Sequence, residues 1–144
     1  MRYLFGITLT LLLYTAASAE IMSVTVNKAN IRSAPSLESS YVVLEAPLYY
    51  PLLVQGEKKG FYEVRDYEGR TGWIHMSLLD RTKGVVVEVA RANVRKGPGA
   101  EFPIVFRAYK GVTFKVLGEK NPWLQVLHES GKKGWIYKSL TWGQ

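Results

Sequence analysis

The 144-residue sequence contains no cysteine, which excludes disulfides, thiolate nucleophiles and cysteine-ligated metal sites. Histidine is almost as scarce: His75 and His128 stand alone in the chain. None of the sequence motifs of metal-dependent or serine hydrolases occurs. We therefore expect no metal, no cofactor and no catalytic residue, and predict that the protein is not an enzyme.

Long apolar runs are also rare. The one such run, residues 3–14, follows Arg2 and precedes Ala17-Ser18-Ala19, which is the pattern of a secretory signal peptide cleaved before Glu20. It is shorter than the roughly 20 residues that a membrane-spanning helix needs. We therefore predict that residues 1–19 are a signal peptide, although an uncleaved anchor is the alternative. The protein is then exported, periplasmic or extracellular in a bacterium, with no stable membrane insertion after cleavage.

Acidic residues are outnumbered, since 12 Asp and Glu stand against 19 Lys and Arg and give a net charge of +7. Cleavage removes Arg2 and no acid, which lowers this charge by one. In an exported protein such basicity favours cell-wall polymers, lipopolysaccharide or anionic lipid head groups over nucleic acid as partners. Ordinary solubilising surface charge is the alternative interpretation.

A repeat organises the rest of the chain. The segment 72–78, GWIHMSL, returns as GWIYKSL at 134–140 with five of seven residues identical. Upstream, Ala-Asn-Ile-Arg at 29–32 returns as Ala-Asn-Val-Arg at 92–95, each followed by a proline three residues later. Two repeated segments in the same order, at offsets of 63 and 62 residues, indicate that one structural unit occurs twice.

The repeat predicts two domains, 20–80 and 84–144. A unit of about 60 residues buries a limited share of its surface, so we expect the two copies to touch. Valines alternate at the start of both units, short strands are predicted throughout, and no segment has sustained helical periodicity. Two strands are predicted to end at Gly56 and Gly118. The fold class is therefore all-β, with Ile31 and Val94 pointing inward.

The motifs resemble those of a known family. Residues 93–99, NVRKGPG, are similar to the opening motif of the bacterial Src-homology-3-like (SH3b) domain, and Gly134-Trp135-Ile136 with Ser139-Leu140 is similar to its closing motif. The resemblance implies two tandem small, partly open SH3-like β-barrels. It also implies a non-catalytic binding module of the bacterial envelope, because relatives are commonly attached to peptidoglycan hydrolases and bind the cell wall.

Two functions follow as hypotheses. The first is recognition of peptidoglycan or another cell-wall polymer. The second is a protein-interaction adaptor, whose strand edges and aromatic faces bind an envelope protein without touching the wall. The candidate ligand-binding residues are Arg32, Tyr62, Tyr67, His75, Arg95, Tyr109 and Tyr137. We expect Tyr62 and Tyr67 with His75, and Tyr109 with Tyr137, to border two shallow surfaces.

Arg32 and Arg95 are suited to a carboxylate or phosphate ligand, but each is also a candidate for a cross-strand pair with Glu or Asp. The structural motif of each unit comprises Gly72 with Trp73 and Gly134 with Trp135.

The two tryptophans either stack on a ligand or form half-buried barrel core. We expect the core, so that Trp135→Ala unfolds the second unit. The aromatics Tyr41 and Phe102 either flank a groove or plug a barrel end, and the plug is the expectation.

Overall fold

The structure is a computed structural model that describes residues 19–144. Residues 1–18, which include all but the last residue of the predicted signal peptide, lie outside the described residues. The first sheet contains β1 (Glu20–Val24), β2 (Lys28–Arg32), β3 (Val42–Pro47), β4 (Pro51–Lys58), β5 (Phe61–Arg65), β6 (Thr71–His75) and β7 (Leu79–Asp80). The second contains β8 (Gly84–Val87), β9 (Arg91–Arg95), β10 (Ile104–Tyr109), β11 (Thr113–Lys120), β12 (Trp123–Leu127), β13 (Lys133–Tyr137) and β14 (Thr141–Gly143).

Both sheets have the same antiparallel strand order. The first runs β3-β2-β6-β5-β4-β1-β7 and the second β10-β9-β13-β12-β11-β8-β14, which is the same list advanced by seven strands. Single 3₁₀ turns, Met76–Leu78 and Lys138–Leu140, precede the last strand of each sheet. The predicted fold of two tandem small SH3-like β-barrels is thus confirmed. No helix within residues 19–144 has the length and apolar character needed to cross a membrane.

Alternation along the strands builds one core inside each barrel. Ile31 and Val94 point inward as predicted, with 3% and 0% of their surface exposed. Ile74 and Ile136 are completely buried on the closing strands β6 and β13. The period-two pattern therefore sets the core, and the residues between these positions face outward.

The two predicted strand ends at Gly56 and Gly118 are wrong, because β4 and β11 each continue two residues beyond the glycine. The pairing register shifts beside both residues, between Val54 and Gly56 and between Val116 and Gly118. Each glycine therefore lies at a bulge that bends a long strand around its barrel.

The two barrels touch, as their small size led us to expect. Val86 belongs to the core of the first barrel, and Trp142 packs against that core. The Thr113 hydroxyl donates a 2.7 Å hydrogen bond to the carbonyl oxygen of Leu48. Gly84 lies so close to the Tyr49 carbonyl that a Cβ there would collide with it. Elements of the second barrel thus complete the packing of the first.

Candidate binding site

An arginine and a tryptophan lie opposite each other on the outer face of each barrel. Arg32 on β2 pairs with Trp73 on β6, and Arg95 on β9 pairs with Trp135 on β13. The next strand places Glu63 beside Trp73 and Gln125 beside Trp135. We call these two strips, Arg32-Trp73-Glu63 and Arg95-Trp135-Gln125, the outer rows.

The expectation that Trp73 and Trp135 are half-buried residues of the barrel cores is right about their burial and wrong about the core. Both are half-buried, but neither is part of either hydrophobic core. The neighbouring residues Ile74 and Ile136 take the inward position, so alternation turns the indoles to the outside. The glycines before them, Gly72 and Gly134, are buried because β2 and β9 cross closely there: a Cβ would lie 2.8 Å from the backbone oxygen of the facing arginine.

A pair of aromatic rings extends each outer row along the same face. Phe61 and His75 are cross-strand partners whose ring centroids lie 5.3 Å apart, edge to face. Trp123 and Tyr137 repeat this arrangement at the same 5.3 Å separation. Because tyrosine replaces histidine in the second copy, the shared property is an aromatic ring. Phe61 is buried whereas Trp123 is half-buried, so the ring that both copies expose is that of His75 or Tyr137.

The two arginines brace the loops that follow β2 and β9. Arg32 Nη1 donates a 3.4 Å hydrogen bond to Ser40 Oγ, and Arg95 Nη1 donates a 2.9 Å bond to the carbonyl oxygen of Phe102. Within residues 19–144 neither arginine forms an ion pair, so the cross-strand acidic partner considered from the sequence is absent there. A guanidinium carries five N–H donors, so donors remain for a ligand.

The tyrosine surfaces expected from the sequence do not form as predicted. Tyr62 and Tyr67 are half-buried against the first core, and Tyr62 faces away from His75 because it pairs with Ile74. Tyr109 is 59% exposed on the edge strand β10. It pairs with Arg91, whereas Tyr137 pairs with Trp123, so these two tyrosines belong to different strand pairs.

Tyr41 and Phe102 do not plug the barrels, which corrects the expectation. Tyr41 is 72% exposed and Phe102 is 37% exposed. Phe102 instead lies over Gly97, where a Cβ would come within 2.5 Å of its ring. Each aromatic adjoins an outermost strand, β3 or β10, that carries further exposed apolar residues. These residues are Val42, Val43, Ile104 and Val105.

A buried polar network in the first barrel could not be predicted from the sequence. The Asp66 carboxylate is almost inaccessible and accepts hydrogen bonds from Tyr50 Oη at 2.9 Å and Arg70 Nε at 2.7 Å. It also accepts bonds from the backbone N–H groups of Glu68 and Arg70. The sequence showed a charged turn here, but not that Tyr50, sixteen residues earlier, completes it.

Burial and hydrogen bonding shift the ionisation of this network. Burial, reinforced by the hydrogen bond to Asp66, raises the pKa of Tyr50 far above its ordinary value. Burial and the Glu68 carboxylate raise the pKa of Tyr67 to about 12. Burial opposes the charge of Arg70, but the bond to Asp66 still raises the pKa of its guanidinium. These shifts suit a structural network that keeps the tyrosines neutral.

The described residues contain no group of three or more His, Asp and Glu side chains that could hold a metal ion. Two tandem barrels of this topology define a repeat protein of the SH3-like class. The sequence model described as the bacterial SH3 domain matches residues 27–80 and 90–141. These matches cover most of the chain, and the protein belongs to this family.

Several known proteins are similar to the chain over part of its length. A probable cell wall amidase, LytH of Staphylococcus epidermidis, is 32% identical over 62 residues, covering 42% of this chain and 21% of LytH. A putative N-acetylmuramoyl-L-alanine amidase, YrvJ of Bacillus subtilis, is 37% identical over 55 residues, covering 38% of this chain and 11% of YrvJ. The matches thus span about a fifth or less of these curated relatives.

Solved structures of low sequence identity also align with the chain. An NlpC/P60 family protein from Bacillus cereus covers 87% of this chain and 56% of its own, with 16% identity and a TM-score of 0.41. NlpC1 from Trichomonas vaginalis covers 86% of this chain and 45% of its own, with 17% identity and a TM-score of 0.40.

Proposed function

We propose that the protein is an exported, non-catalytic binding module of the bacterial envelope that recognises peptidoglycan or another cell-wall polymer. The proposal is carried by the outer rows, which place an arginine and a tryptophan opposite each other in both barrels. The similarity to LytH, a probable cell wall amidase, and to YrvJ, a putative N-acetylmuramoyl-L-alanine amidase, supports it, because each match has a length close to one barrel.

The outer rows suit a polymer built of sugars and short peptides. The half-buried indole and the exposed ring of His75 or Tyr137 beside it offer flat area to a sugar face or a peptide backbone. The guanidinium of Arg32 or Arg95 is suited to a carboxylate. Two such surfaces on one chain gain affinity on a repetitive polymer, since the second contact forms at high effective concentration.

Co-sedimentation with purified peptidoglycan sacculi tests this function. The purified protein is mixed with sacculi at low and high salt beside a basic protein of the same size and charge. Binding that survives high salt supports wall recognition, because loose adsorption between exposed charges is screened by salt. Absence of binding, or a loss of binding equal to that of the basic control, contradicts it.

One observation favours the adaptor function as the second candidate. The outermost strands β3 and β10 each expose a pair of neighbouring apolar residues, with Val43 40% and Val105 47% accessible. An apolar strand edge can pair with an extended segment of another protein. The adaptor function predicts that Val43→Lys with Val105→Lys abolishes capture of a defined envelope protein while the fold persists. Capture unchanged by this double variant rules out these edges as the interface.

A further inference from the structure

The second barrel has a cavity of about 280 Å³ that lies away from both outer rows. Its apolar walls are Phe106 and Val112, and its rim carries Arg107, His128 and Lys132. This volume lies just below the usual range of small-ligand pockets, so it suits one end of a ligand and not a whole polymer.

The first barrel has the same backbone framework here but fills the space. Val112 corresponds to Tyr50, whose ring is buried and whose hydroxyl donates to Asp66. Valine lacks the ring and the hydroxyl, and His128 stands where the first barrel has Asp66. Because Val112 is smaller than Tyr50, the second barrel has a cavity where the first is filled by an aromatic ring.

The charge of this region is reversed between the two copies. At four corresponding positions the first barrel has three carboxylates and one guanidinium, while the second has two cations and no carboxylate. The corresponding pairs are Glu45 and Arg107, Asp66 and His128, Glu68 and Ser130, and Arg70 and Lys132. In the first barrel Asp66 pairs with Arg70 at 2.7 Å. In the part of the second barrel that the structure describes, Arg107 and Lys132 form no ion pair.

The side chains of the cavity are held in place by their neighbours. His128 Nδ1 lies 2.8 Å from Ser130 Oγ, and its ring packs edge-on against the buried Phe114 at 5.8 Å. Lys132 Nζ lies 5.8 Å from the centre of the Phe106 ring. An apolar wall and two cations without acidic partners therefore face one small space, and they complement an anion attached to an apolar group.

The cavity continues toward the first barrel. A neighbouring depression of about 490 Å³ shares His128 and Ser130 with it. The depression is also lined by Glu129 and, from the first barrel, by Asn27, Lys28 and Leu48. The hydrogen bond from Thr113 to Leu48 holds the two barrels together at this junction. A free ion would leave this groove empty, whereas an extended chain can end in the cavity and cross the junction.

We propose that the second barrel binds the C-terminal carboxylate of a short peptide, with Arg107 and Lys132 on the carboxylate and Phe106 with Val112 against a small apolar side chain. The rest of the peptide runs along the groove past His128. The site is specific to the second barrel. It does not depend on the outer rows and goes beyond the function proposed for them.

The test is an NMR titration of the purified protein with N-acetyl-alanyl-alanine, with its C-terminal amide and with inorganic phosphate. The free acid is expected to shift the amide signals of residues 106–112 and 128–132 with a Kd of about 1 mM or tighter, the value typical of a ligand of this size. The amide should bind about tenfold more weakly because the charge-assisted hydrogen bonds are lost. Phosphate should bind more weakly than the acid, because it leaves the apolar wall empty.

Two variants make the result specific. Arg107→Gln removes one cation, and Val112→Tyr restores the residue of the first barrel; each should weaken binding at least about tenfold with the melting temperature retained. Lys120→Gln, an exposed cation outside the cavity, should bind as the parent does. If the Val112→Tyr variant does not fold, the binding affinity of the Arg107→Gln variant alone tests the proposal. Equal binding of acid and amide, tighter binding of phosphate, shifts confined to other residues, or unchanged binding by Arg107→Gln would overturn the proposal.

Discussion

The Tyr50 hydroxyl donates a 2.9 Å hydrogen bond to the Asp66 carboxylate, and the second barrel has no equivalent bond because Val112 and His128 stand at these two places. In the first barrel a polar network therefore fills the space between these strands. In the second barrel the same space is an open cavity lined by basic residues. The strand order is the same in both copies, while a few side chains decide which copy has an open cavity.

Removing the centre of this network should destabilise the first barrel. Asp66→Ala leaves the buried Tyr50 hydroxyl and the Arg70 guanidinium without their acceptor, and we expect a loss of about 3 kcal/mol in the free energy of unfolding. Urea denaturation followed by fluorescence measures it. His128→Ala, the matched change in the second barrel, should cost clearly less, and equal costs would show that the network is not special.

The tyrosines predict a loss of stability in alkali. The pKa of Tyr50 is raised in the folded protein from an ordinary value of 10.0, so above about pH 10 the unfolded chain loses a proton that the folded chain keeps. The contribution of the Tyr50 hydroxyl to the free energy of unfolding is fully present below pH 10. Above pH 10 it falls by about 1.4 kcal/mol per pH unit. Tyr67 adds to the slope up to its pKa of about 12.

Denaturant titrations between pH 8 and 11.5 measure this slope. The comparison is with Tyr50→Phe, which lacks the hydroxyl that titrates. The variant should be less stable at pH 8 but should lose less with rising pH. A variant with the same slope as the parent would show that Tyr50 does not titrate as described.

Two neighbours on β13 separate binding from folding. Ile136 is completely buried, and Ile136→Ala should cost about 2–5 kcal/mol in the free energy of unfolding. Trp135 is half-buried and outside the core, so Trp135→Ala should lose less and retain a cooperative melt. Calorimetry checks both. Unfolding of the second barrel by Trp135→Ala would show that this indole belongs to the core.

The junction between the barrels depends on Gly84. A Cβ there would meet the backbone carbonyl of Tyr49 and come within 2.9 Å of Ser23 Cβ, and backbone cannot move aside cheaply. We expect Gly84→Ala to cost about 1–3 kcal/mol and to split a shared melting transition into two. Gly118→Ala is the matched control, since its Cβ would meet only Gln125 Oε1 at 3.8 Å. Similar losses from both variants would argue against a tight junction.

Much of the fold could be predicted from the sequence, because the repeat and the period-two pattern are local signals. Ile31 and Val94 point inward as expected. Placement of the tryptophans failed for a related reason: in Gly-Trp-Ile both apolar residues are candidates for the core, and only strand pairing decides which of them enters it. The predicted strand end at Gly56 was wrong because a glycine at a bulge and a glycine at a strand end look alike in sequence.

The candidate sites were harder to predict because they depend on contacts between distant strands. The pairing of Arg32 with Trp73 joins residues 41 positions apart. The pocket of the second barrel arises from a residue that is smaller than its counterpart, Val112 in place of Tyr50, and that carries no chemical signal of its own. A difference between the two copies at aligned positions was the available clue, and reading it required knowing that Tyr50 is buried.

The most direct test of wall recognition is the affinity of Trp73→Ala with Trp135→Ala for purified sacculi at high salt. If the outer rows bind the wall, this double variant should bind about tenfold or more weakly than the parent while its melting transition persists. Tyr109→Ala, which removes an exposed aromatic outside both rows, should bind as the parent does. Unchanged binding by the folded double variant would contradict the proposal that the outer rows bind the cell wall.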